Sequence, residues 1–151
     1  METQLVYPNQ LSATSRQLQE GRLAGLLIFA SSKHCPWCGL VSNDQLLPRL
    51  RTPGLAKIAI VEFDINDPTT LTSVGNPRSE GLRLPSNLSP LAWAKAHNIR
   101  VVPTVTAVNR QLIPLRPPLV GYSSADFYGA YLEEQITEAV NYWAKARYLT
   151  P

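Results

Sequence analysis

Short apolar blocks alternate along the chain with polar connections marked by proline and glycine. Residues 9–20 read as a short helix closed by Gly21. The run LAGLLIF (23–29) is continuously apolar, as expected of a strand buried on both faces. A helix then opens at Cys35, with Pro36 as its first helical residue, where a missing N–H costs nothing. It is expected to reach about Leu47 and to stop or kink at Pro48. AKIAIVEFDI (56–65) is a second strand, rich in β-branched residues. Its alternation puts Ile58, Ile60, Glu62 and Asp64 on one face and Ala59, Val61, Phe63 and Ile65 on the other.

Residues 66–88 are polar and hold Pro68, Pro77 and Pro85. Such length is unusual for a loop inside a compact domain and points to function or mobility. Ser89 and Pro90 give an N-cap and a first-turn proline for a helix over 90–99. VVPTVTAVN (101–109) and QLIPLRPPLV (111–120) read as two strands joined by a tight turn at Asn109 and Arg110. Pro114, Pro117 and Pro118 cannot donate to a ladder, which assigns the second strand to an edge. Gly121 ends it, and Ser123 or Ser124 caps a last helix. Phe127, Tyr131, Leu132, Ile136, Val140 and Trp143 recur at near-helical spacing and are expected to dock on the sheet, with Trp93 and Trp143 in core or helix packing. The order α-β-α-β-α-β-β-α predicts an α/β domain: a four-stranded mixed sheet flanked by helices, with an extra N-terminal helix. A single domain is expected over 1–151, with its core at about 20–147.

Composition changes this picture little. Of 151 residues, 44% are hydrophobic and 17% charged, a balance that favours a packed core over disorder. The 14 basic residues give a net charge of +3 but are scattered, so no stripe suits nucleic acid. No apolar run approaches the ~20 residues that span a bilayer, and no signal-peptide pattern opens the chain. Taken literally, that absence reads as cytoplasmic.

The two cysteines, Cys35 and Cys38, lie in FASSKHCPWCGLV (29–41). Zinc or an iron–sulfur cluster needs about four ligands, and only His34 and His97 are available to assist. A c-type haem needs histidine after the second cysteine, where Gly39 stands. A structural bridge closing so short a loop stabilises little. The redox use fits better. At a helix N-terminus, unpaired N–H groups and the helix dipole favour the Cys35 thiolate. This is expected to lower its pKa below the free-thiol value of ~8.5. Pro36 sets up that helix start, and Lys33 and His34 add positive potential, though both also read as plain solvated loop residues. Trp37 fits either surface packing or substrate contact. His97, near a helix C-terminus, is favoured there by the dipole and is given no catalytic role.

CPWC (35–38) after a buried strand, VVPT (101–104) opening the hairpin and VGYSSADFYGAYLEEQI (120–136) together resemble the thioredoxin superfamily over residues 20–147. The resemblance implies a thioredoxin fold and a thiol–disulfide oxidoreductase, with Cys35 as nucleophile and Cys38 as resolving cysteine. It implies that Pro103 is a cis-proline facing the cysteines, and that Val102, Pro103 and Thr104 meet an extended substrate segment. Its partners would be protein thiol or disulfide substrates and a redox partner protein. A monomer is expected, with neither cofactor nor metal beyond the Cys35–Cys38 couple.

The departures are informative. Thioredoxin has Gly-Pro between its cysteines where this chain has Pro36 and Trp37. It also has a buried aspartate six residues before the first cysteine, where this chain has Phe29. Those features, the 66–88 segment and LLPRL (46–50) look more like the periplasmic Dsb, TlpA and Sox-associated relatives. That likeness favours a periplasmic location. Glu62 corresponds roughly to the strand position where thioredoxin keeps a lysine partnered with its acid. It is therefore the candidate proton acceptor for Cys38, against the plainer reading of a solvated or salt-bridged glutamate. The direction of electron flow is not fixed by Pro36 and Trp37. The alternative is a non-enzymatic interaction module with a sensing or structural disulfide.

Overall fold

The computed structural model describes residues 3–71, 81–123 and 125–148. Its sheet has four strands in the order β2-β1-β3-β4. Strand β1 (Gly25–Ser31) is wholly buried and runs parallel to β2 (Ile58–Asp64), with Gly25 opposite Ile58 and Phe29 opposite Glu62. Strand β3 (Thr104–Ala107) is antiparallel to β1, and β4 (Leu119–Val120) pairs antiparallel to β3 at the edge. Burial on both faces explains the unbroken apolar run of β1. Leu26, Leu27, Ile28 and Phe29 are fully or almost fully enclosed, each contributing about 1.5–3 kcal/mol by transfer from water. Val6 adds an isolated parallel bridge to Val61 beyond β2, its N–H donating to the Ile60 carbonyl and its carbonyl accepting from Glu62.

Helix α1 (Leu11–Gln19) precedes β1 and follows a single 3-10 turn. After β1, helix α2 (Pro36–Val41) leads through a wider π-helical stretch (Ser42–Leu46) into α3 (Leu47–Arg51). The helix does not stop at Pro48. The proline ring would collide with a carbonyl one turn back in a regular helix. The widened turn just before it, closed by the Leu47 N–H on Ser42, relieves that crowding and lets the helix run on to Arg51.

Helix α4 (Pro90–Ala96) starts as its sequence indicates, with the Ser89 hydroxyl accepting from the Ala92 N–H. Trp93 is fully buried edge-on to Phe63 and donates its indole N–H to the Leu112 carbonyl. Helix α5 (Ala125–Ala146) packs on the other face, where Ala139 lies against Gly25. A Cβ on Gly25 would stand 3.0 Å from that of Ala139. The Arg49–Glu133 ion pair ties α3 to α5 on this shared face. The inward side of α5 is Tyr128, Leu132, Gln135, Ile136, Ala139 and Trp143; Phe127 and Tyr131, expected to dock, are exposed. Tyrosine and glutamine at Tyr128 and Gln135 hide that true stripe from a hydrophobic pattern. Ser124, one of the two expected caps, and 72–80 of the long polar segment lie outside the described residues.

The strand expected over 111–120 is only Leu119–Val120. The Asn109 side chain organises the preceding turn, its Oδ1 accepting from the N–H groups of Gln111 and Ile113, while Leu112 takes a positive φ. Prolines then prevent a continuous ladder. The buried Gln135 fills the gap: its Oε1 accepts from the Ala107 N–H and its Nε2 donates to the Pro117 carbonyl. A side-chain amide thus replaces the missing backbone partner.

Candidate active site

Cys35 caps the start of α2 with an extended backbone, and Pro36 opens the helix. The two cysteines form a disulfide, with Cα atoms 5.3 Å apart. The Cys38 N–H lies 3.1 Å from the Cys35 Sγ and points at it as a donor. Exposure differs between the partners: Cys35 is half-buried, whereas Cys38 is 5% exposed. Trp37 projects between them into solvent at 58% exposure. Lys33 and His34 are exposed on the approach to Cys35.

Because β3 is antiparallel to β1, pairing of Ala30 with Thr104 brings the start of β3 to the end of β1 that leads to Cys35. Val102, Pro103 and Thr104 therefore belong to the same end of the sheet as the disulfide. The Val102–Pro103 peptide bond is cis. Pro103 and Thr104 are buried, Val102 is half-buried and Val101 is exposed. Two bonds hold this corner: the Thr104 hydroxyl donates to the Val101 carbonyl at 2.6 Å, and the Gly121 N–H donates to the Pro103 carbonyl at 2.8 Å. The end of β2 completes the rim. A cavity of about 610 Å³ is lined by Ser32, Lys33 and His34 on one wall and Asp64, Asn66, Asp67 and Pro68 on the other. The first part of the long polar segment thus lies beside the cysteines. Its far part does not: Leu82 and Leu84 are buried, and the Leu82 N–H donates to the Ser15 hydroxyl of α1.

Glu62 shares its face with Phe29, its register partner, on the side of the sheet that carries α2 and α3. It accepts a 2.7 Å hydrogen bond from the buried Ser31 hydroxyl. It also opens onto a cavity of about 450 Å³ shared with Tyr7, Ser42, Leu47 and Arg51. Sequence reasoning did not single out Ser31, because a serine two positions past an apolar run carries no signal; only the register reveals its partner. The 66–88 segment is marked by its length, but its placement with Asp64 opposite Lys33 and His34 is not. His97 stands at the end of α4 with its ring beside Trp93. Burial lowers its pKa from 6.5 by disfavouring the charged ring.

No known family profile and no curated protein matches the sequence. Solved structures do match in shape. A thioredoxin variant from Halobacterium salinarum NRC-1 superposes with a TM-score of 0.50 at 14% identity, over 88% of this chain and 91% of that one. Thioredoxin O2 from Arabidopsis thaliana, in its oxidised state, gives 0.50 at 14% identity, over 89% and 96%. A redox protein from Chlamydomonas reinhardtii gives 0.52 at 12% identity; the match covers 92% of this chain but 37% of that longer one. The chain has the thioredoxin fold, with a disulfide of CxxC spacing at the start of its second helix.

Proposed function

We propose that this chain is a thiol–disulfide oxidoreductase acting on protein substrates through its CPWC sequence. The observation that carries the reading is the asymmetry of the Cys35–Cys38 pair: Cys35 is half-buried at a helix start, with Cys38 enclosed one turn behind. In the reducing direction, the Cys35 thiolate attacks a substrate disulfide and displaces one substrate thiolate, forming a mixed disulfide. The Cys38 thiolate then attacks the Cys35 sulfur and releases the second substrate thiolate. The substrate gains two electrons, and the protein is left as the disulfide. The reverse sequence oxidises a substrate dithiol.

Val102, Pro103 and Thr104 form the wall for an extended substrate segment, and Trp37 with the first part of the 66–88 segment, at Asn66, Asp67 and Pro68, shapes selectivity. Lys33, His34 and Pro36 tune Cys35. Glu62, on the face that carries the active-site helix, assists deprotonation of Cys38, with Ser31 holding its carboxylate. A second redox protein resets the couple, without metal or nucleotide. The active unit is a monomer, and the likeness to periplasmic relatives supports that compartment. No helix among the described residues is long and apolar enough to cross a membrane.

The test is reduction of insulin disulfides by dithiothreitol. Wild type accelerates it, Cys35→Ser falls to the uncatalysed rate, and Glu62→Gln slows turnover most near neutral pH, where a carboxylate is ionised and a thiol is not, with the difference closing at high pH. Equal background rates for wild type and Cys35→Ser would overturn the enzyme reading and leave the interaction module. A Glu62→Gln variant with the wild-type pH profile would remove Glu62 from the mechanism.

A further inference from the structure

At the end of the sheet opposite the disulfide, a cavity of about 370 Å³ is lined, among the described residues, by Arg83, Arg110, Tyr142, Lys145 and Ala146. Three of these five carry positive charge and none is acidic. We propose that this cavity binds a small polyanion, a molecule with two or more neighbouring phosphate or carboxylate groups.

Two of the cations have an internal use. The Arg110 guanidinium donates to the Ala146 carbonyl, and Lys145 lies in the last turn of α5, so both offset the carbonyl end of that helix. Among the described residues, Arg83 has no such duty. It comes from a different segment and is held over the cavity by its neighbours. Leu82 and Leu84 on either side are buried, and Gly81 approaches α1 so closely that a Cβ there would lie 2.7 Å from the Ser15 carbonyl oxygen. The Arg83 N–H donates to the Arg110 carbonyl at 2.8 Å, and the Arg110 N–H donates to the Tyr142 hydroxyl at 3.2 Å. The backbones that present Arg83 and Arg110 are thus fixed to one another and to α5.

The described ion pairs elsewhere join Arg22 to Glu20, Arg49 to Glu133 and Arg116 to Glu134. No described carboxylate is supplied here. Like charges converging on one concavity repel one another, and an anion of matching charge removes that cost. The volume falls within the usual range for small-ligand sites. Tyr142 and Ala146 give one side an apolar surface, which suits an organic anion better than a hydrated inorganic ion.

Isothermal titration with pyrophosphate, ADP and citrate tests the site. The expected result is saturable binding of at least one of them, weakened by added salt. The Arg83→Ala/Lys145→Ala double variant should bind about tenfold more weakly, a loss of ~1.4 kcal/mol. Both side chains are exposed, so the fold should survive, and unchanged insulin reduction and thermal melting check this. The order of affinities among the three probes identifies phosphate or carboxylate as the preferred group. Amide shifts in an NMR titration should centre on Arg83, Arg110 and Lys145. Absence of saturable binding for all three probes up to about 10 mM would overturn the proposal. So would undiminished binding by the double variant, or shifts centred on Lys33 and His34.

Discussion

His97 and Tyr128 are both moved by burial, and they limit stability at opposite ends of the pH scale. Desolvation lowers the His97 pKa from 6.5, so the unfolded chain takes up the proton first as pH falls. Its contribution is complete above about pH 6.5 and declines as acid is added through the window below. Tyr128 is the mirror case: burial first, and then the nearby Tyr122, raise its pKa well above 10.0, so the unfolded chain ionises first and stability falls above that pH. Urea midpoints should therefore drop on both sides of neutrality. His97→Gln should lessen the acid loss, and Tyr128→Phe the alkaline one; unchanged slopes in these variants would contradict the assignment. Neither effect is readable from sequence, since a histidine at a helix end suggests dipole stabilisation until Trp93 and its surroundings are known.

Among the elements, local chemistry declared itself where one residue governs the backbone. Ser89 and Pro90 start α4, and Pro36 starts α2, as their positions indicate. It misled where a neighbour supplied the remedy: the widened turn before Pro48, and Gln135 for the broken ladder beside β3. Glycines make the same distinction measurable. Gly54 has φ +84 with open space where a side chain would stand, whereas Gly81 has φ +117 and would bring a Cβ to 2.7 Å from the Ser15 carbonyl oxygen. Both alanine variants incur backbone strain of about 1–3 kcal/mol. Only Gly81→Ala must also displace the 81–84 segment from α1. Its loss of stability in urea denaturation should be clearly the larger, and equal losses would show that this contact is unimportant.

For the whole molecule, the sheet is finished by a piece of chain far from it in sequence. Val6, 1% exposed, bonds to Ile60 and Glu62 along the free side of β2. This guards an otherwise open edge beside the candidate proton acceptor. Replacing Leu5 and Val6 by serine should cost about 2–4 kcal/mol of burial. It should also speed hydrogen exchange at the Glu62 amide while central β1 amides stay protected. Equal protection in the variant would mean that the bridge contributes nothing at this edge.

By itself, the sequence determined the order of elements, the buried β1, the helix start at Cys35 and the two-cysteine couple. Each rests on periodicity or on residues adjacent along the chain. Tertiary structure alone decided which side of α5 faces the sheet and that Glu62 takes a bond from Ser31. It also decided that Asp64 and Asp67 stand across from Lys33 and His34, and that Arg83 joins Arg110 and Lys145. The physical reason is common to all of these: strand register and helix rotation bring together residues tens of positions apart, and no local pattern carries that information.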